Sequence, residues 1–337
     1  MFKPVISDVE GLEISADEKA LFEEFRPFGF ILFQRNCDNP DQVKALVAQM
    51  KECIGNDNAP ILIDQEGGRV ARLRPPHWKR YPAAGVYSRL YETNPDLATA
   101  AVQVHASLMA ADLTALGINV DCFPDADIFY EGADKVIGDR SYGERPQKVA
   151  ILARAAAEGM ISSGVIPVMK HLPGHGRADV DSHKTLPVVN AKIDELRETD
   201  FIPFKRLNDL PCAMTAHVVF NDIDAKKCAT ISKNVIKNII RKEIGFKGVL
   251  FSDDLSMRAL SDDPAKNATN ALKAGCDLAV HCNGTLEERY SVLKTVKSLK
   301  EAEEHRLKAI FAKRRTPMEI NEEKLYAWLI DVVKEYE

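Results

Sequence analysis

Several features that mark large classes of protein are missing from this sequence. It has seven cysteines, at 37, 53, 122, 212, 228, 276 and 282, and no two form a CxxC pair. That spacing argues against a cysteine zinc site, and Cys122, Cys212 and Cys276, set in apolar runs, read as reduced core thiols. No window approaches the 18 uninterrupted apolar residues of a membrane span. The opening "MFKPVISDVEGLEIS" lacks a charged segment followed by an apolar one, so a cytoplasmic protein is expected. Basic blocks are absent too, and net charge is −5, which excludes nucleic acid as the main partner. The short "KRR" at 313–315 reads as a solvated helix end. Nothing resembling a Pro/Gly/Ser-rich linker or a low-complexity tract divides the chain, so residues 1–337 are expected to form one domain. The oligomeric state is not legible, with a monomer favoured.

What is present is an alternation. Eight short apolar runs recur: "PVISDVEG" (4–11), "FGFILFQRN" (28–36), "PILIDQEGG" (60–68), "INVDCFPD" (118–125), "VIPVMKHLPGHG" (165–176), "CAMTAHVVF" (212–220), "GVLFSDDLSM" (248–257) and "CDLAVHCNG" (276–284). Each is followed by a stretch with helical apolar period, among them one long helix over about 94–116 and one over "KIDELRETDFIPFKRL". Several of these begin with Asn-Pro, Ser or Asp at the cap position. Strands and helices alternating in this way call for a parallel sheet covered on both faces. A closed (β/α)8 barrel over about 4–300, with extra C-terminal helices over about 301–337, is the economical reading; an open doubly wound sheet is the alternative.

In such a barrel, function collects at the C-terminal ends of the strands. Six of the eight predicted strands end in polar residues: Asp64; Asp121 and "FPDAD"; Lys170 and His171; His217; Asp253 and Asp254; His281 and Asn283. Charged groups brought to one rim are costly to desolvate without partners or a task, so a bound polar ligand is expected there.

The stretch "GHGRADVDSH" (174–183) follows the fifth strand and should overhang this rim. Asp181 and His183 stand two apart, which in extended backbone puts both side chains on one face, close enough for a carboxylate–imidazole hydrogen bond. Such a bond orients the ring and raises its basicity, making His183 a candidate proton donor. Two rival readings are a metal site built on His171, His175, His183 and an aspartate, and a purely structural loop. A Pro-Gly pair interrupts the HxxxH spacing, so the helical metal-binding arrangement is excluded; no resident metal and no cofactor are expected. The two glycines and Ser182 are read as loosening the loop so that it can close over substrate. In the seventh strand, adjacent Asp253 and Asp254 must face opposite ways, so one can serve as a nucleophile while the other pairs locally. A carboxylate nucleophile facing a proton donor describes retaining glycoside hydrolysis.

Five motifs in order, "DQEGGRVARL" (64–73), "VIGDRSYG" (136–143), "KHLPGHGRADVDSH" (170–183), "MTAHVVF" (214–220) and "FSDDLSM" (251–257), resemble those of family 3 glycoside hydrolases, and within them the single-domain bacterial β-N-acetylglucosaminidases of cell-wall recycling. The resemblance implies a (β/α)8 barrel and a retaining, covalent mechanism with Asp253 as nucleophile, His183 as general acid/base and Asp181 as its partner. It implies that Asp64, Arg72, Arg140, Lys170 and His171 bind the terminal sugar. It also implies a substrate: terminal β-linked GlcNAc on anhydro-muropeptide fragments. Leu172 stands where phenylalanine is common, and His281 occupies a position usually apolar; a buried neutral histidine is expected there. A phosphorylase with the same nucleophile, a metal-dependent amidohydrolase and a non-catalytic sugar-binding barrel are the competing functions.

Overall fold

A computed structural model describes residues 1–182, 185–257, 259–260 and 263–337. Its centre is a sheet of eight parallel strands: β1 (Lys3–Ser7), β2 (Pro27–Leu32), β3 (Ile61–Ile63), β4 (Val120–Asp121), β5 (Ile166–Leu172), β6 (Cys212–Thr215), β7 (Val249–Phe251) and β8 (Ala279–His281). Neighbours in sequence are neighbours in space, and β8 pairs with β1 in the register Val5↔Ala279. The last gap, between β7 and β8, is closed by the bridge Phe251↔Leu278 and by Ser252 N donating to Leu278 O at 2.9 Å. The result is a (β/α)8 barrel. All seven residues of β5 are buried, as expected of a strand covered on both faces.

The helices start where local chemistry allows. Ser15 forms a capping box with Glu18 for Ala16–Phe25, and Asn39, Asn94 and Asp263 each cap a helix whose first residue is proline. The stretch 192–207 is not one helix but two, Ile193–Glu198 and Phe201–Arg206. Pro203 is the reason: its ring would meet the carbonyl of residue 199 in a continuous helix, so the chain breaks there. A helix over Ala84–Thr93, which carries no side-chain cap, precedes the long Pro95–Ala115. Helices Glu301–Ala312 and Glu322–Val333 complete the chain, with Phe311 set between the rings of Phe28 and Phe251 at the base of the barrel. Among the described residues, no helix is long and apolar enough to cross a membrane.

Candidate active site

At the C-terminal ends of the strands lies a cavity of about 320 Å³. Its lining includes Asp64, Glu66, Arg72, Arg140, Lys170, His171, His175, Ser182, Asp253 and Asp254, with Phe33, Met214 and Met257 as apolar wall. Cavities of about 600 Å³ occur elsewhere, one of them between Val165, Pro211 and Gly248 at the opposite mouth. Volume alone does not assign a site; the convergence of ionisable groups does.

Lys170 is the hub. It is 2% exposed, and its Nζ lies 2.9 Å from Asp64 Oδ1 and 2.7 Å from Glu66 Oε1. Arg72 approaches the second oxygen of Asp64 at 3.1 Å. Arg140 grips Glu66 with Nε and Nη2 at 2.9 and 2.8 Å. Burial alone would raise both carboxyls, but Lys170 and Arg72 hold Asp64, and Arg140 and Lys170 hold Glu66, well below the usual carboxylate range. Burial likewise works against Lys170, and the same two carboxylates keep its ammonium charged. The floor is thus a fixed array of cations and anions suited to charge-assisted hydrogen bonds with hydroxyl groups.

Beside it stands an imidazole cluster. Asp127 Oδ2 lies 2.7 Å from His171 Nδ1, and Oδ1 accepts from the backbone N–H of His175 at 2.6 Å. Burial pushes His171 down to about 4 and His175 down to about 3, so both rings are neutral at physiological pH. Burial pushes Asp127 up to about 7 against the N–H groups that donate to it, and Asp125 is raised by burial and by the neighbouring Asp127. Asp125, Asp127 and His171 have ligand-type atoms within 4.8 Å of one another, the geometry a metal could use. His171 bonds Asp127, Asp125 Oδ1 accepts from Asp127 N at 2.9 Å, and Asp125 Oδ2, which accepts no hydrogen bond, lies 3.4 Å from Arg140 Nη2 as an ion pair. The set reads as a hydrogen-bonded cluster rather than a metal centre.

The two aspartates after β7 take different roles. Asp254 Oδ1 accepts from Ser256 N at 3.0 Å and Cys282 N at 3.2 Å, and Oδ2 accepts from Ser256 Oγ at 2.7 Å and Asn283 Nδ2 at 3.2 Å. Its oxygens are taken by local donors. Asp253 Oδ1 accepts from Asp254 N at 2.8 Å while its side chain borders the cavity. Buried His217 donates through Nε2 to Asp254 O at 2.8 Å and props this turn from outside the cavity.

The loop after β5 is tied at its start, its middle and its end. Ser182 Oγ lies 3.2 Å from His175 Nε2, and Asp134 N donates to Ala178 O at 2.9 Å. Its glycines have packing duties: a Cβ on Gly176 would sit 1.9 Å from Ile128 O, and Gly174, at φ +142°, faces Asp200. In this conformation they permit close approach of the backbone to Ile128 and Asp200. His183 lies outside the described residues. Asp181 is half-buried at the loop end, and its carbonyl accepts from Thr185 N at 3.1 Å.

Of the residues singled out in the sequence, Asp64, Arg72, Arg140, Lys170, His171 and Asp253 therefore meet around one cavity. Asp121 lies behind it, buried, with Oδ1 accepting from Gln65 N. His281 is buried, and burial lowers its basicity, as a neutral core histidine requires. The sequence placed Asp125 and Asp127 on the rim through "FPDAD" without a role for either, and Glu66 was passed over. The available signal was their spacing, two residues from Asp64 in "DQE" and two from each other in "DAD".

Residues 6–312 match the model of the glycosyl hydrolase family 3 N terminal domain. The chain is 38% identical over 284 residues to a beta-hexosaminidase of Alkalilimnicola ehrlichii, covering 83% of this chain and 80% of that protein. A beta-hexosaminidase of Methylococcus capsulatus is also 38% identical, over 295 residues and 86% of both chains. Among solved structures, NagZ from Neisseria gonorrhoeae in complex with N-trifluoroacetyl-D-glucosamine superposes with a TM-score of 0.89 at 29% identity, over 98% of each chain.

Proposed function

The chain belongs to glycosyl hydrolase family 3, and we propose that its strand-end cavity removes terminal β-linked N-acetylglucosamine by a retaining mechanism. That the protein is a glycoside hydrolase follows from the family and from relatives named beta-hexosaminidase. The single observation that carries the finer reading is the position of Asp253. It borders the same small cavity as Lys170, Asp64, Arg72, Arg140 and His171, while Asp254 is occupied by local donors.

In this reading the Lys170–Asp64–Glu66–Arg140 array and His171 seat the terminal sugar. Asp253 attacks the anomeric carbon, forming a glycosyl ester as the bond to the leaving oxygen breaks. His183, oriented by Asp181, gives its proton to that oxygen and later takes one from the water that hydrolyses the ester. The aglycone we favour is an anhydro-muropeptide fragment, on the strength of the family resemblance and the NagZ-like fold, with the whole chain as one cytoplasmic, monomeric catalytic unit.

The test is turnover of 4-nitrophenyl β-GlcNAc against 4-nitrophenyl β-glucoside, with product analysis in phosphate buffer. Preferred release from the first substrate, with free GlcNAc as product, supports the reading. Preference for the glucoside, or accumulation of a sugar 1-phosphate, overturns it.

A further inference from the structure

Asp127 is sealed from water, and both its oxygens accept hydrogen bonds. Oδ1 takes the backbone N–H of His175 at 2.6 Å; Oδ2 takes the backbone N–H of His171 at 3.3 Å and faces His171 Nδ1 at 2.7 Å. Backbone N–H groups donate to both of its oxygens, and of the two raised carboxyls Asp125 holds its proton the more firmly, so Asp127 faces His171 as a carboxylate, and a carboxylate only accepts. The proton of the neutral His171 ring is then on Nδ1. The other nitrogen, Nε2, carries a lone pair. Unlike the ring nitrogens of His281, which are buried and partnerless, His171 Nε2 is not sealed, and His171 borders the cavity. Next to it, Lys170 offers a donor, and Asp64 and Glu66 offer acceptors.

We propose that Asp127 is a positioning residue that fixes the polarity of the sugar pocket: by holding the proton of His171 on Nδ1 it makes Nε2 an acceptor, so the bound sugar must present a hydroxyl that donates at that point. This rests on the reading of the cavity as a β-N-acetylglucosaminide site. A site built around an acceptor rejects an analogue that cannot donate, because the acceptor is left desolvated and unpaired. Fluorine has nearly the size of a hydroxyl and cannot donate.

The experiment uses 4-nitrophenyl β-GlcNAc and its 3-, 4- and 6-fluoro analogues. With the wild-type enzyme, kcat/KM should fall by about 10- to 100-fold more at one ring position than at the others. In Asp127→Asn the amide keeps its carbonyl toward His175 N–H and turns its NH2 toward His171. The ring then moves its proton to Nε2 and becomes a donor to the pocket. The excess penalty at that position should shrink to within about 3-fold of the others. An unchanged pattern in folded Asp127→Asn overturns the proposal, as does the lack of any excess penalty in the wild type. Should the variant not fold, long-range 1H–15N spectra of the 15N-histidine-labelled wild-type protein decide directly, with His171→Gln assigning the ring. The Nδ1–H tautomer is expected, and the Nε2–H tautomer overturns the assignment. Failure of the wild type to cleave the parent glycoside would sink the function proposed above, while the spectrum would still report the tautomer.

Discussion

Glu66 Oε1 and Lys170 Nζ face each other at 2.7 Å with side chains only 5% and 2% exposed. An ion pair so deep is held by geometry rather than by net Coulomb gain, and removing one partner leaves the other charge buried without compensation. Here two cations depend on Glu66, since Arg140 holds it from the other side. Glu66→Gln should destabilise the protein by on the order of 3 kcal/mol in urea denaturation and raise KM. An unchanged unfolding midpoint would show that the array tolerates the loss of one anion.

Asp253→Ala should lower turnover by several orders of magnitude, because in the proposed mechanism it deletes the bond-forming group. A 5-fluoro glycosyl fluoride should leave a mass-labelled peptide within 248–257. Asp254→Ala should cost stability instead, since its oxygens accept from Ser256 and Cys282 across the β7–β8 joint. Labelling at Asp254 would exchange the two roles.

His183→Ala should slow glycosylation strongly for natural aglycones, which leave poorly, and much less for nitrophenyl glycosides, which need little protonation. Asp181→Asn should show the same pattern in milder form. Equal damage to both substrate types would return His183 to binding or structure.

His105 lies outside the cavity lining, packed behind Gly67. Its ring stacks on Tyr81 with centroids 5.1 Å apart, and burial pushes its pKa down to about 3. The unfolded chain binds a proton at this histidine below about pH 6.5 and the folded protein does not, so stability is lost as pH falls through that value toward 3. His105→Phe removes this term. The stability of the variant relative to wild type should rise by about 1.4 kcal/mol per pH unit between pH 6 and pH 4. A constant difference across that range would mean that the histidine is solvated.

The barrel was legible because each apolar run is followed by a helical period, and because six runs end in polar residues that a barrel brings to one rim. Pro203 was visible in the sequence as well, yet the apolar period running across it suggested one helix where the ring's clash makes two. Glu66 escaped, and Asp125 and Asp127 went without a role, for another reason. Alternation of side chains is dependable only inside a strand. These residues follow β3 and β4, which end at Ile63 and Asp121. Past those ends the direction of a side chain is set by its partners, and Arg140 and His171, which draw Glu66 and Asp127 inward, come from loops and strands far along the chain.

The pairing of β1 with β8 has a bearing on how the protein is made. Val5 finds its partner in Ala279, some 270 residues later. At about 5–20 residues per second of synthesis, the exposed edge of β1 waits roughly a quarter of a minute to a minute before the strand that covers it exists. For that interval the nascent chain carries an unpaired strand edge, the kind of surface that other chains can extend. The cavity is equally late, since its lining runs from Ile31 to Asn283. Its full lining is not assembled until nearly the whole barrel has left the ribosome.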